Sequence, residues 1–237
     1  MKLLLKHANL IIDGNKSFED GALLINGEHI EEVFPHSNKI KTDTSMLKSV
    51  NMNGLTVIPD FYPENVSKKF ILDPLNKDSL LLAKKFSETS KILLGNTKAM
   101  AKDVMNLKYD GFYNLYENMA GFNHKDLSLV NLAFYQRDKY VELNPNIIDA
   151  SVLKLTIDNL RRDRIIFIGD LYSGMVRLRK LHYSFNDVLL MCSLNGYTFY
   201  DEDKLNGSLV KGKYADLLCI DENNKIKFRF SKGRLYV

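Results

Sequence analysis

Arg164-Ile165-Ile166-Phe167-Ile168-Gly169-Asp170 is the stretch that decides the fold class. It is an unbroken, β-branched apolar run closed by Gly-Asp, and such a run reads as a strand covered on both faces, unlike the alternating pattern of a half-exposed strand. Just upstream, Asp149 stands where a helix N-cap belongs, and Val152, Leu153, Ile157 and Leu160 share one helical face. Before that helix, Tyr140-Val141-Glu142-Leu143 is again strand-like. Strand, helix and strand in succession predict a β/α unit with parallel strands.

The alternation continues outward. Lys91-Ile92-Leu93-Leu94-Gly95 reads as a strand followed by a helix from Thr97 through Met105, then a strand from Phe112 to Tyr116 and a helix around Ser128 to Tyr135. Leu55-Thr56-Val57-Ile58 and Phe70-Ile71-Leu72 are strand-like, and Leu80 through Phe86 is an amphipathic helix behind Asp78. Toward the C-terminus, Ser184 with Asp187 predicts a capping-box start for a helix from Asp187 to Leu194, with Asn195-Gly196 as its stop.

Both ends of the chain are different. Asn9 to Ile12, Ala22 to Ile25 and His29 to Phe34 are short strands punctuated by Asp13-Gly14 and Asn26-Gly27, and Ala215 to Ile220, Ile226 to Phe230 and Leu235 to Val237 repeat the style. The expected fold class is α/β: a composite small β-domain from residues 1–55 and 206–237, set against a β/α section at 56–205. That section has about 150 residues, whereas a closed eight-stranded β/α barrel takes ~250, so a shortened, incomplete TIM-like barrel is expected.

Composition narrows the function. The 237 residues are 45% hydrophobic and 26% charged, the mixture of an ordinary globular protein. The 33 Lys and Arg exceed the 29 Asp and Glu by only four, spread along the chain, so no nucleic-acid footprint is expected. No apolar run reaches the ~18 residues of a membrane span, which predicts no membrane association and a cytoplasmic protein. Cys192 and Cys219 lie in apolar stretches with no second cysteine at metal or redox spacing, and both are expected as buried thiols. His7, His29, His36, His124 and His182 form no pair at metal spacing. There is no G-x-S-x-G elbow, no G-x-G-x-x-G and no Walker-type loop, so neither a serine nucleophile nor a nucleotide cofactor is indicated.

Three stretches together resemble the amidohydrolase superfamily and, within it, the N-acetylglucosamine-6-phosphate deacetylases. Asn53-Gly54-Leu55-Thr56-Val57-Ile58-Pro59-Asp60-Phe61 is similar to the "G-x-x-V-I-P-G-F" that leads into the first barrel strand. Gly207-Ser208-Leu209-Val210-Lys211-Gly212-Lys213-Tyr214-Ala215-Asp216-Leu217 is similar to the "G-S-L-x-x-G-K-x-A-D-L" return into the small β-domain. Tyr113-Asn114-Leu115-Tyr116-Glu117-Asn118-Met119 resembles "T-H-L-Y-N-A-M", which puts Lys125-Asp126 on the family's "R-E", and the strand ending at Asp170 falls on its "L-V-T-D". Relatives are longer, so the resemblance implies segments lost between Pro59 and Lys91 and between Asp170 and Ser184.

The resemblance implies metal-assisted amide hydrolysis, which needs a cation held by imidazole or carboxylate to activate water. The positions it assigns to those ligands carry other residues: Asn65 and Ser67 replace "H-x-H", Asn96 replaces the histidine of "G-H-S/T-x-A", and Asn114 that of "T-H-L-Y-N-A-M". An amide oxygen is a far weaker zinc donor than an imidazole nitrogen. No metal or other cofactor is therefore expected. The substrate-orienting histidine falls on Ile147, which has no polar atom to offer.

What the resemblance leaves is Asp170 as the proton-transfer carboxylate, with Asn118, Met119 and Lys125 at substrate-contacting positions. Each has a plainer reading. Asp170 also suits a strand-to-loop exit whose side chain caps the next turn, Lys125 a solvated surface lysine, and Glu117 places negative charge where an anionic ligand would come. The first functional expectation is a degenerate, inactive relative, a pseudoenzyme that binds a sugar phosphate or another protein. The alternative is an active deacetylase that hydrolyses N-acetylglucosamine 6-phosphate to glucosamine 6-phosphate and acetate, with Asp170 as base and acid and zinc in an altered site. An incomplete barrel leaves strand edges and apolar faces for a homodimer partner or another chain to cover.

Overall fold

A computed structural model describes residues 2–13, 16–40, 47–63, 68–72, 89–95, 110–113 and 139–236, with Asp78, Leu82, Lys85 and Ser87 between them. The chain divides into two compact units, Met1–Tyr62 with Ser184–Val237, and Pro63–Tyr183.

The first unit is built on an eight-stranded mixed sheet. Its strands are β1 (Lys2–Ile11), β2 (Ser17–Asn26), β3 (His29–Phe34), β4 (Lys48–Asn51), β5 (Thr56–Pro59), β11 (Leu217–Ile220), β12 (Ile226–Ser231) and β13 (Arg234–Tyr236). They run in the order β13-β12-β11-β5-β1-β2-β3, with β4 also paired to β1. β5 is therefore not the first strand of the parallel section: it pairs in parallel with β1 and antiparallel with β11. The boundaries expected at residues 56 and 206 fall instead after Tyr62 and before Ser184. Leu5, Leu10, Leu23, Val57, Leu217 and Cys219, all fully buried, carry the core on one face of this sheet. Alternate positions such as Leu4, Ala22 and Leu24 form a smaller cluster on the other face, as the two-residue period requires.

β1 begins seven residues earlier than the sequence pattern indicates because two opposed bulges interrupt its alternation. The β1–β2 register shifts between Leu5 and Ala8 and again between Ala8 and Leu10, so that one extra residue on each strand cancels. The extra residues are His7 (φ 59°) and Asp20 (φ 49°), left-handed positions where glycine would be cheapest. The His7 Nδ1 and Asp20 Oδ1 atoms lie 2.7 Å apart, and the buried Ser37 hydroxyl donates to the Asp20 and Gly21 carbonyls and accepts from the His7 N–H.

The continuous helix of this unit comprises α3 (Phe185–Leu189), a π-helical turn (Leu190–Leu194) and α4 (Asn195–Phe199). Ser184 caps it as expected, accepting from the Asp187 N–H at 3.1 Å. Asn195-Gly196 does not stop it. A Cβ on Gly196 would collide with the Tyr62 ring, so this glycine serves close packing inside the helix. Tyr62 also meets Tyr197 edge-on at 5.0 Å and stacks on Tyr200 at 5.4 Å. Cys192 and Cys219 are buried free thiols, and burial pushes the Cys219 thiol up to about 12.

The second unit holds a five-stranded sheet in sequence order: β6 (Lys69–Leu72), β7 (Lys91–Gly95), β8 (Gly111–Tyr113), β9 (Tyr140–Leu143) and β10 (Ile165–Phe167). Every pairing in it is parallel. Between and after the last strands lie α1 (Ala150–Asn159) and α2 (Leu171–Lys180). Asp149 caps α1 by accepting from the Ser151 N–H at 2.8 Å, and Leu153 and Ile157 bury its apolar stripe.

Candidate functional site

In a parallel sheet the groups that do chemistry sit beyond the carboxyl ends of the strands, where loops meet and helix N-termini point. Among the described residues that edge is formed by Asn144 to Ile148 after β9 and by Ile168 to Asp170 after β10. The two turns are stitched together: Ile168 N–H donates to the Leu143 carbonyl at 2.9 Å, and Asn146 Nδ2 donates to the Asp170 carbonyl at 2.8 Å. Gly169 holds φ +83°, and the Asn144 amide fills the space a side chain there would need. Arg177, in the last turn of α2, donates to the Pro145 carbonyl at 2.6 Å.

Asp170 is exposed at this edge, and its carboxylate is the N-cap of α2. It accepts from the Ser173 N–H at 3.1 Å and from the Ser173 hydroxyl. Those hydrogen bonds hold its pKa below the ordinary carboxylate value. Ile147, which the sequence resemblance sets at a substrate-orienting position, is 56% exposed on the neighbouring turn. The other residues singled out from the sequence, Asn65, Ser67, Asn96, Asn114, Asn118, Met119 and Lys125, lie outside the described residues.

The sequence reading missed an ion pair. Lys69 opens β6, and its Nζ lies 2.8 Å from Oε2 of Glu142 on β9, with side-chain exposures of 2% and 1%. β7 and β8 stand between these strands. Three strand spacings of a flat sheet come to about 14 Å, and Lys69 also lies four residues lower in register than Glu142. The pair closes at this distance because the sheet curls, with both side chains on its concave face. A solitary carboxylate in the apolar Tyr140-Val141-Glu142-Leu143 was the available signal, since a charge in a covered strand requires a partner. Beside it, Arg164 donates to the Tyr140 hydroxyl at 2.6 Å and lies over the same ring.

Among the described residues, no group of three or more His, Cys, Asp or Glu is placed to hold a metal ion. Chemically, the described edge offers two exposed carboxylates, Asp149 and Asp170, each engaged as a helix cap, and several amides. It suits hydrogen bonding to a polar ligand better than strong Lewis-acid ligation.

No protein-family profile and no curated protein matches the sequence. Solved structures do match the fold. The N-acetylglucosamine-6-phosphate deacetylase of Pasteurella multocida superposes with a TM-score of 0.74 at 9% identity, covering 100% of both chains. The deacetylase of the same description from Thermotoga maritima gives 0.69 at 10% identity, over 98% of this chain and 99% of that one. An enamidase described as a member of the amidohydrolase superfamily gives 0.69 at 12% identity, over 99% and 95%. The chain has the α/β fold of these amidohydrolases.

Proposed function

We propose that this protein is a non-hydrolytic relative of the N-acetylglucosamine-6-phosphate deacetylases that binds an amino-sugar phosphate without cleaving it. In this reading the curled parallel sheet is the remnant of a shortened β/α barrel, and the two ends of the chain form a composite β-domain. The observation that carries it is the engagement of Asp170. A carboxylate that caps a helix through both the N–H and the hydroxyl of Ser173 has its pKa lowered. A general base and acid works best with a pKa near the operating pH, so Asp170 is a poor proton shuttle and a good cap. The amide and hydroxyl residues at Asn65, Ser67, Asn96 and Asn114 support the reading from the sequence side, because they retain hydrogen-bonding capacity and forgo strong zinc ligation. Lys125, Asn118 and Met119 are the substrate-contacting positions this reading assigns. A cytoplasmic site of action and a second copy or partner chain over the open sheet edges belong to the same proposal.

The test is acetate release from N-acetylglucosamine 6-phosphate by the purified protein, with and without added zinc, beside calorimetric titration of glucosamine 6-phosphate. Saturable binding with no acetate above the Asp170→Asn background is the expected result. Zinc-stimulated turnover abolished by Asp170→Asn would replace this reading with an active deacetylase. Absence of both binding and turnover would remove the sugar phosphate from it.

A further inference from the structure

We infer that the unit built on the eight-stranded sheet carries a separate binding site for a small amphiphilic carboxylate of about the size of octanoate. At the end of the sheet where β1 leaves, β2 begins and β3 finishes, a cavity of about 270 Å³ opens against the segment that starts at Leu209. Its floor is Ile12 and Leu209, at 3% and 0% exposure, and Phe18 and Val33 wall it. Lys16, Lys211 and Glu32 supply the charge around this lining. None of the three forms an ion pair among the described residues, which leaves two ammonium groups against one carboxylate. The Lys16 ammonium lies 5.1 Å from the Phe18 ring centroid, directly above the apolar wall.

An apolar cavity with a net positive margin selects its occupant by chemistry. A neutral apolar molecule would fill the floor but gain nothing from the two exposed ammonium groups at its rim. A sugar phosphate would satisfy the lysines, but its hydroxyls would lose water against Leu209 and Val33 without replacement hydrogen bonds. An apolar chain ending in one carboxylate meets both demands, with the chain on Phe18, Val33 and Leu209 and the head between Lys16 and Lys211. At ~30 Å³ for each water-sized portion the cavity holds about nine such portions, which sets the ligand at about ten non-hydrogen atoms. The residues belong entirely to the first unit, so the site stands or falls independently of the function proposed for the parallel sheet.

Calorimetric titration of butanoate, hexanoate, octanoate and dodecanoate into the full chain, with 1-octanol as the uncharged control, tests it. Affinity should rise about fourfold for each added methylene up to octanoate and then level off. 1-Octanol should bind about tenfold more weakly than octanoate, and the Lys16→Met/Lys211→Met double variant should lose about the same factor for octanoate alone. Val33→Trp, which fills the cavity without touching the charges, should abolish binding of every chain length. Absence of saturable octanoate binding, equal affinity for 1-octanol, or undiminished binding by the folded double lysine variant would overturn the proposal.

Discussion

Among the described residues each unit takes one carboxylate out of water, and the two are handled differently. At the end of β5, Asp60 accepts from Arg229 Nε at 2.9 Å, yet the arginine is 58% exposed while the aspartate is 10% exposed. On β9, Glu142 and its partner Lys69 are both essentially sealed. Asp60 is thus a half-wet pair: the guanidinium keeps its hydration, and the carboxylate also accepts from the Phe61 N–H at 2.8 Å. Lys69 and Glu142 have both surrendered water, and their mutual attraction helps offset a desolvation penalty of several kcal/mol per ion. Depth decides whether a pair modulates stability or becomes a condition of folding.

The largest effect should therefore come from breaking the deep pair. Lys69→Met takes the ammonium away from a buried carboxylate and should cost about 3–5 kcal/mol, whereas Lys69→Met/Glu142→Leu removes both charges and should recover most of the loss. Urea unfolding midpoints at neutral pH give the comparison. Equal destabilisation of the single and double variants would mean that Lys69 acts through its alkyl packing and that the charge pair is incidental.

The half-wet pair should show itself through pH. Desolvation is the dominant influence on Asp60 and raises its pKa above the ordinary 3.8, against the opposing pull of Arg229. In the window between 3.8 and that raised value the folded state holds more protons than the unfolded chain, so this residue's contribution to stability falls as pH rises. Asp60→Asn removes the titration. Relative to wild type, the variant should gain in melting temperature as pH climbs through that window and hold the gain above it. A constant difference across the whole range would show that Asp60 titrates alike in both states.

The same contrast governs what could be read from the sequence. Caps are local, so Asp149 and Ser184 announced the starts of their helices, and the apolar run at Ile165 announced a covered strand. Longer-range arrangements left weaker marks. β5 reads like any other strand, and only its neighbours β1 and β11, drawn from opposite ends of the chain, place it in the first unit. The opposed bulges at His7 and Asp20 erase the two-residue period, so the pattern marks β1 only from Asn9 onward. Asn195-Gly196 reads as a stop because the partner of Gly196, the Tyr62 ring, is remote in sequence. For the site, Asp170 could be located but not assigned, since a strand-exit aspartate serves equally as cap or base, and Lys69 gave no sign of its partner on β9.

Asp170 completes the series as the carboxylate that never leaves water, and its effect on stability should be the smallest of the three. Its folded pKa is lowered by Ser173, so its contribution is present above the ordinary 3.8 and is lost as pH falls through the folded value. Asp170→Ala should lower the melting temperature at neutral pH and converge with wild type in acid. Asp170→Ser separates the two roles still assigned to this position. Serine is as good an N-cap as aspartate, but it cannot hold and return a proton near neutrality. If the residue is a cap alone, the Asp170→Ser protein should match wild type in melting temperature and in ligand binding. If it is a base, the variant should be as stable as wild type and catalytically silent. That outcome would move Asp170 out of the fold's architecture and into its chemistry.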